Sequence, residues 1–186
     1  MVMDMFKFNI DESTSLSLLD MKDAEKLFEL IDRNREYIGQ WLQFPSITTH
    51  VDDSKAFIER TRKRYVEGDG YWLGIWSRNE LVGSIGYLYI DLENRKTEIG
   101  YWLGQEYEGH GYMTKAIKVL INHAFEELEM NKIEIGAASD NAKSRAIPEK
   151  LGFICEGTIR DYEYLNGRFL NRVIYGLKVD EWQEAT

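Results

Sequence analysis

Glu108-Gly109-His110-Gly111-Tyr112-Met113-Thr114 decides how this chain is read. It follows a strand-like run, Thr97-Glu98-Ile99-Gly100-Tyr101-Trp102-Leu103, and opens a helix-like run from Met113 to Glu127. A glycine-rich turn between a strand and a helix bares backbone N–H groups. With the positive end of the helix dipole behind them, those donors hold an anion without any lysine or arginine. The stretch therefore predicts a site for a phosphate-bearing ligand, with a plain tight turn as the alternative. Two common phosphate patterns do not fit. No Gly-x-x-x-x-Gly-Lys-Ser/Thr string occurs, and Thr114 stands where a dinucleotide fingerprint needs its third glycine.

Working outward, Lys132 to Ala138 reads as a strand, followed by Asn141-x-x-Ser144, a short helix, and Glu149-Lys150-Leu151-Gly152-Phe153. Toward the N-terminus, Ser15 to Leu19 reads as a first strand, and Asp20 can cap a helix from Met21 to about Tyr37. Ala24, Leu27, Phe28 and Ile31 recur there at helical spacing. Tyr37 to His50, with Trp41, Phe44 and Pro45, reads as a loop or broken helix. Asp52 or Asp53 caps a second helix to about Glu67, which Gly68 and Gly70 end. Strands follow at Tyr71–Trp76, Leu81–Ile90 and Lys96–Leu103, and two long ones near Ile154–Leu165 and Arg168–Val179. Asn166-Gly167 joins the last two, and an Asn-Gly pair between alternating strands is a strong hairpin signal because both positions need positive φ. The pattern predicts an α/β chain: a mixed, mostly antiparallel sheet with helices on both faces, in one domain spanning residues 1–186.

Composition narrows the function classes. A net charge of −9 and a pI near 4.9 argue against nonspecific nucleic-acid binding, which needs lysine and arginine against phosphate. The same charge suits a basic polypeptide partner, although many acidic proteins have none. No apolar run reaches the length of a membrane span, and Met1 to Ile10 lacks a signal-peptide core. Cys155 is alone, so no internal disulfide forms and a cytoplasmic setting is expected. Cys155 reads as a small strand residue rather than a nucleophile. His50, His110 and His123 show no metal-ligand spacing, so no metal is expected.

These stretches together resemble the GNAT superfamily of N-acetyltransferases. Its pyrophosphate loop, Gln/Arg-x-x-Gly-x-Gly/Ala, becomes Glu108-x-x-Gly111-x-Met113 here, with Glu and Met as departures. Glu98-Ile99-Gly100-Tyr101, Gly109-x-Gly111-Tyr112-Met113-Thr114, Asn141-x-x-Ser144 and Glu149-Lys150-Leu151-Gly152-Phe153 look like its ribosomal-protein N-terminal acetyltransferase branch, the RimJ/RimL type. So does Glu156-Gly157 leading to Glu163-Tyr164-Leu165-Asn166-Gly167. The likeness runs from about Asp11 to Trp182.

The resemblance implies a twisted sheet whose strands 97–103 and 132–138 are parallel neighbours that splay apart. It implies acetyl-CoA as co-substrate. The pantetheine arm would bond the backbone near Trp102 and Leu103 like an added strand. The loop Gly109, His110, Gly111, Tyr112, Met113 and Thr114 would hold the pyrophosphate through N–H groups, with Asn141 and Ser144 also at the co-substrate. Glu108 would oppose that phosphate unless it points to solvent. Attack on a thioester needs a neutral amine, a stabilised oxyanion and a proton for the thiolate. Many members carry a tyrosine acid where this chain has Pro148. The branch pattern points instead to Ser144, whose other reading, with Asn141, is ordinary helix capping, and Pro148 fits best near a helix start. The pattern gives Glu163 as base, with Glu98 as rival. Period-two alternation puts Asp161, Glu163 and Leu165 on one face and Tyr162 and Tyr164 on the other. The implied acceptor is a protein N-terminal amine, as on a ribosomal protein, with Tyr37, Trp41 and Phe44 lining its cleft or filling core. The resemblance also implies self-association. Small-amine acetylation and a non-catalytic CoA-binding module are the rival readings.

Overall fold

The computed structural model describes residues 6–182; Met1–Met5, part of the N-terminal stretch read above, and residues 183–186 lie outside it. Eight strands form one sheet: β1 (Lys7–Asn9), β2 (Thr14–Leu18), β3 (Tyr71–Ser77), β4 (Glu80–Asp91), β5 (Lys96–Leu103), β6 (Lys132–Ala138), β7 (Ile154–Leu165) and β8 (Arg168–Lys178). Among the described residues six α-helices accompany them: α1 (Ala24–Arg33), α2 (Arg35–Gly39), α3 (Phe44–Ile47), α4 (Val51–Glu67), α5 (Tyr112–Glu126) and α6 (Ala142–Lys150). The sheet order is β1-β2-β3-β4-β5-β6-β8-β7, and β5–β6 is its parallel pair. None of the described helices is long and apolar enough to cross a membrane.

Alternate residues of a strand point to opposite faces, and here each face has its own core. Leu73, Ile75, Val82, Ile85 and Ile99 pack against Ala116, Ile117, Leu120 and Ile121 of α5. Leu81 and Trp102 face the other way, against Leu27, Leu30 and Ile31 of α1 and Ile58 of α4. The helices thus lie on both faces, as expected.

Local chemistry sets the boundaries. Asp20 accepts the Met21 N–H at 2.7 Å and Asp23 accepts the Asp20 N–H at 2.8 Å, a reciprocal cap worth about 1 kcal/mol. The helix expected to run to Tyr37 breaks at Asn34. That buried side chain bonds the Leu30 carbonyl and accepts the Gln105 N–H at 2.8 Å, so its backbone leaves helical geometry. The expected cap at Asp52 or Asp53 sits one turn off: His50 is the N-cap, and Asp53 reaches back from inside α4 to the Thr49 and His50 N–H groups. Asn166 and Gly167 take φ of +51° and +77°, the turn their sequence demanded. The short strand β1 went unread, since three residues carry little periodic signal.

The parallel pairing decides where a site can form. β5 and β6 are in register only at Lys96↔Lys132, Thr97↔Ile133 and Glu98↔Glu134. Beyond Glu98, β5 stays with β4 as far as Gly83↔Leu103, while β6 stays with β8 as far as Ala138↔Arg172. Each strand follows its antiparallel partner, and a wedge opens between them.

Candidate active site

A cavity of about 1020 Å³ opens at this wedge, large enough for a cofactor-sized ligand. Gly100, Tyr101, Trp102 and Leu103 border it from β5, and Gly136, Ala137 and Ala138 from β6. At its mouth lies the start of α5. Gly109 and Gly111 have φ of +78° and +77°, a left-handed conformation that glycine adopts freely. Gly111 is the N-cap and no described side chain caps the helix, so its first N–H groups are left without a side-chain partner beside the opening. Gly109, Gly111, Tyr112, Met113 and Thr114 line the cavity, but His110 does not. Its ring stacks against Tyr112 at 5.6 Å and approaches the Tyr107 carbonyl at 3.2 Å. Met113 stands where the sequence pattern has Gly or Ala; its side chain is buried in the core.

Glu108 does not point to open solvent. It accepts hydrogen bonds from the Tyr37 hydroxyl and, at 2.7 Å, from Lys143 Nζ. Burial pushes its carboxyl up, but these bonds outweigh that and hold it below the usual carboxylate range. The charge that would oppose a phosphate is thus already matched by Lys143.

On the β6 side, Asn141 Oδ1 accepts the Ser144 N–H at 3.1 Å, which caps α6 and turns Ser144 toward the cavity. Ser144 Oγ lies 3.4 Å from the Tyr101 hydroxyl. Pro148 lies inside α6, not near its start as expected.

The two candidate carboxylates separate. Glu163 lines the cavity, half-buried, and its side chain makes no hydrogen bond or ion pair among the described residues. Glu98 is not on the cavity wall. It is paired with Arg172, and the two side chains are 17% and 20% exposed. Gly136 makes room for that guanidinium, since a Cβ there would collide with Arg172 Nε. The expected alternation along β7 fails between Ile159 and Glu163, where a bulge puts Asp161 at φ +49°. Tyr162 and Glu163 consequently both face the cavity, and Tyr162 stacks on Arg172 at 4.8 Å. Tyr101, Lys143, Tyr162 and Arg172 were missed by the sequence reading. A bulge and a cross-sheet ion pair leave no periodic trace.

Tyr37, Trp41, Phe44 and Ile47 form the far wall with Phe57 and Trp72. Phe44 packs on Trp102 at 5.4 Å, so this wall is both lining and core.

The model of the acetyltransferase (GNAT) domain family matches residues 15–154. A Bacillus subtilis (strain 168) protein named "Putative ribosomal N-acetyltransferase YdaF" is 42% identical over 180 residues, covering 96% of this chain and 98% of its own. The ribosomal-protein-serine acetyltransferase of Escherichia coli (strain K12) is 27% identical over 171 residues, covering 92% and 96%. Among solved structures, the microcin C7 self-immunity acetyltransferase MccE, in complex with acetyl-CoA and AMP, superposes with a TM-score of 0.87 at 29% identity, covering 91% and 94%. The residues here fit that co-substrate. The uncapped α5 start offers N–H donors to a pyrophosphate, and the parted edges of β5 and β6 offer backbone groups to an amide-bearing arm. With its wedge, its glycine-rich helix start and its matched domain, this chain belongs to the acetyltransferase (GNAT) family and is an N-acetyltransferase that uses acetyl-CoA.

Proposed function

We propose that the acceptor is the α-amine of a protein N-terminus, on a ribosomal protein, acetylated by direct transfer in a ternary complex. The observation that carries this reading is the Glu163 carboxylate on the cavity wall, on β7, without a partner among the described residues, in the same cavity as Ser144 of α6. An α-amine has a pKa of about 7.7–8.0, against about 10.4 for lysine. A carboxylate, or a water held by it, is base enough for an amine of which roughly a tenth to a sixth is already neutral at pH 7, far more than of a lysine. Glu98 would have to give up its bond to Arg172 to serve, so the base is assigned to Glu163.

Acetyl-CoA supplies the activated acetyl group as a thioester. Backbone N–H groups from Gly109 to Thr114, including that of His110, hold its pyrophosphate. The Trp102 and Leu103 backbone and Asn141 orient its arm. Ser144 donates to the leaving thiolate. The net charge of −9 favours a basic polypeptide, and the names of relatives support a ribosomal acceptor. A cytoplasmic setting is part of the proposal, supported by the lone Cys155. So is self-association, supported by the outermost strand β7, where Ile154, Ile159, Tyr162 and Tyr164 are exposed.

The test offers acetyl-CoA with a Ser-initiated basic peptide, an N-blocked lysine peptide and spermidine, read by mass spectrometry. Acetylation of the free peptide N-terminus alone is expected. Transfer to spermidine alone would move the enzyme to small amines, and binding without any transfer would leave a CoA-binding module.

A further inference from the structure

In a regular α-helix the N–H of residue 148 would bond the carbonyl of Ser144. Proline has no N–H, so Pro148 deletes that bond from the interior of α6. The orphaned carbonyl is not left empty. The Tyr101 hydroxyl, reaching from β5 across the base of the wedge, donates to Ser144 O at 2.9 Å. Its oxygen also lies 3.4 Å from Ser144 Oγ, leaving a lone pair toward the serine hydroxyl. Burial pushes the Tyr101 phenol up to about 12, with the bond to Ser144 opposing it, so it stays a neutral donor.

We propose that Tyr101 is a positioning residue for acetyl transfer: it replaces the helix bond that Pro148 deletes and thereby fixes Ser144. The inference rests on the assignment of Ser144 to the leaving thiolate. Tyr101 gives its hydrogen to the serine carbonyl and so holds the backbone. Its oxygen offers the Ser144 hydroxyl a weak resting acceptor, which a thiolate outcompetes because charged acceptors bind donors more strongly. No proton leaves Tyr101 in this scheme. The hydroxyl at 101 and the proline at 148 form one unit, although 47 positions separate them.

Steady-state kinetics on Tyr101→Phe, Ser144→Ala, Pro148→Ala and the two double variants built on Tyr101→Phe test this, with acetyl-CoA binding measured by calorimetry. Tyr101→Phe should lower kcat about tenfold while leaving acetyl-CoA affinity unchanged. It should add little to Ser144→Ala, because both act through one hydroxyl. Pro148→Ala should repair Tyr101→Phe to within about threefold of the parent, since the restored N–H at 148 satisfies the Ser144 carbonyl. A merely space-filling role for the phenol predicts no such repair. Additive losses with Ser144→Ala, or no repair by Pro148→Ala, would overturn the positioning role while Ser144 keeps its own. Full activity in Ser144→Ala would remove the serine assignment itself and this inference with it.

Discussion

Replacing Glu98 with leucine tests whether that carboxylate serves structure or chemistry. The change keeps most of the volume and removes the partner of Arg172. Breaking a fully buried pair costs about 3–5 kcal/mol, because one charge is left behind, whereas a fully exposed pair is worth about 0–1 kcal/mol. Glu98 and Arg172 are 17% and 20% exposed, so water reaches the stranded guanidinium only in part. Tyr162, stacked on it at 4.8 Å, retains a share of its stabilisation, about 0.5–1 kcal/mol. The expected loss is therefore about 2–3 kcal/mol. At roughly 2–4 °C per kcal/mol for a domain of this size, Tm should fall by about 4–12 °C. Adding Arg172→Met should recover part of that loss, since an apolar pair strands no charge. Differential scanning calorimetry of both singles and the double in one buffer reads the cycle, and kcat measured well below each Tm reads the chemistry. An unchanged Tm in Glu98→Leu would refute the pairing argument. A loss of kcat about 100-fold at parental stability would return Glu98 to the reaction as its base.

Glu163→Gln should lower kcat about 100-fold with acetyl-CoA binding nearly unchanged, and a loss under about threefold would hand the base role to water. Lys143→Ala should raise KM for acetyl-CoA severalfold at low salt, because it leaves the Glu108 charge unmatched at the phosphate loop. The added change Glu108→Gln should reverse that rise; if it does not, Lys143 acts by some route other than masking Glu108. His123 is held below its usual 6.5 by burial, beside the Tyr87 hydroxyl at 3.1 Å. The unfolded chain then binds the proton first, so this contribution to stability is complete above about pH 6.5 and is lost as pH falls through the lower folded value. His123→Gln should accordingly show a smaller drop in Tm between roughly pH 7.5 and pH 5 than the parent does.

The glycine turn before α5 and the β7–β8 hairpin were readable because glycine and asparagine report backbone geometry directly: φ is positive at Asn166 and Gly167, where the hairpin demanded it. Strand β5 matched its sequence bounds, Lys96 to Leu103, because turn residues flank it on both sides. What escaped reading was set by contacts between distant residues. Asn34 breaks its helix for the sake of Gln105, and no local propensity encodes that partner. Glu98 and Glu163 looked alike in sequence, since each is a glutamate within a strand. The difference is one guanidinium, brought to Glu98 from β8 by the sheet order. Alternation along β7 misplaced Tyr162 because a bulge changes the count by local insertion, which a strict period of two cannot register.

Asn34 has a consequence for how this enzyme could be altered. Its side chain ties the start of the aromatic wall to the turn after β5, the same turn that leads into the anion loop. Wall and loop therefore share one fixed hinge-pin. The segment from residue 35 to residue 48 is a cassette plugged in behind that pin, held further by Arg35 on the Thr48 carbonyl at 2.8 Å. Exchanging the cassette while keeping Asn34, Arg35, the carbonyl that Arg35 grips and Tyr37, whose hydroxyl holds Glu108, should change which acceptor fits while leaving the glycine turn before α5 in place.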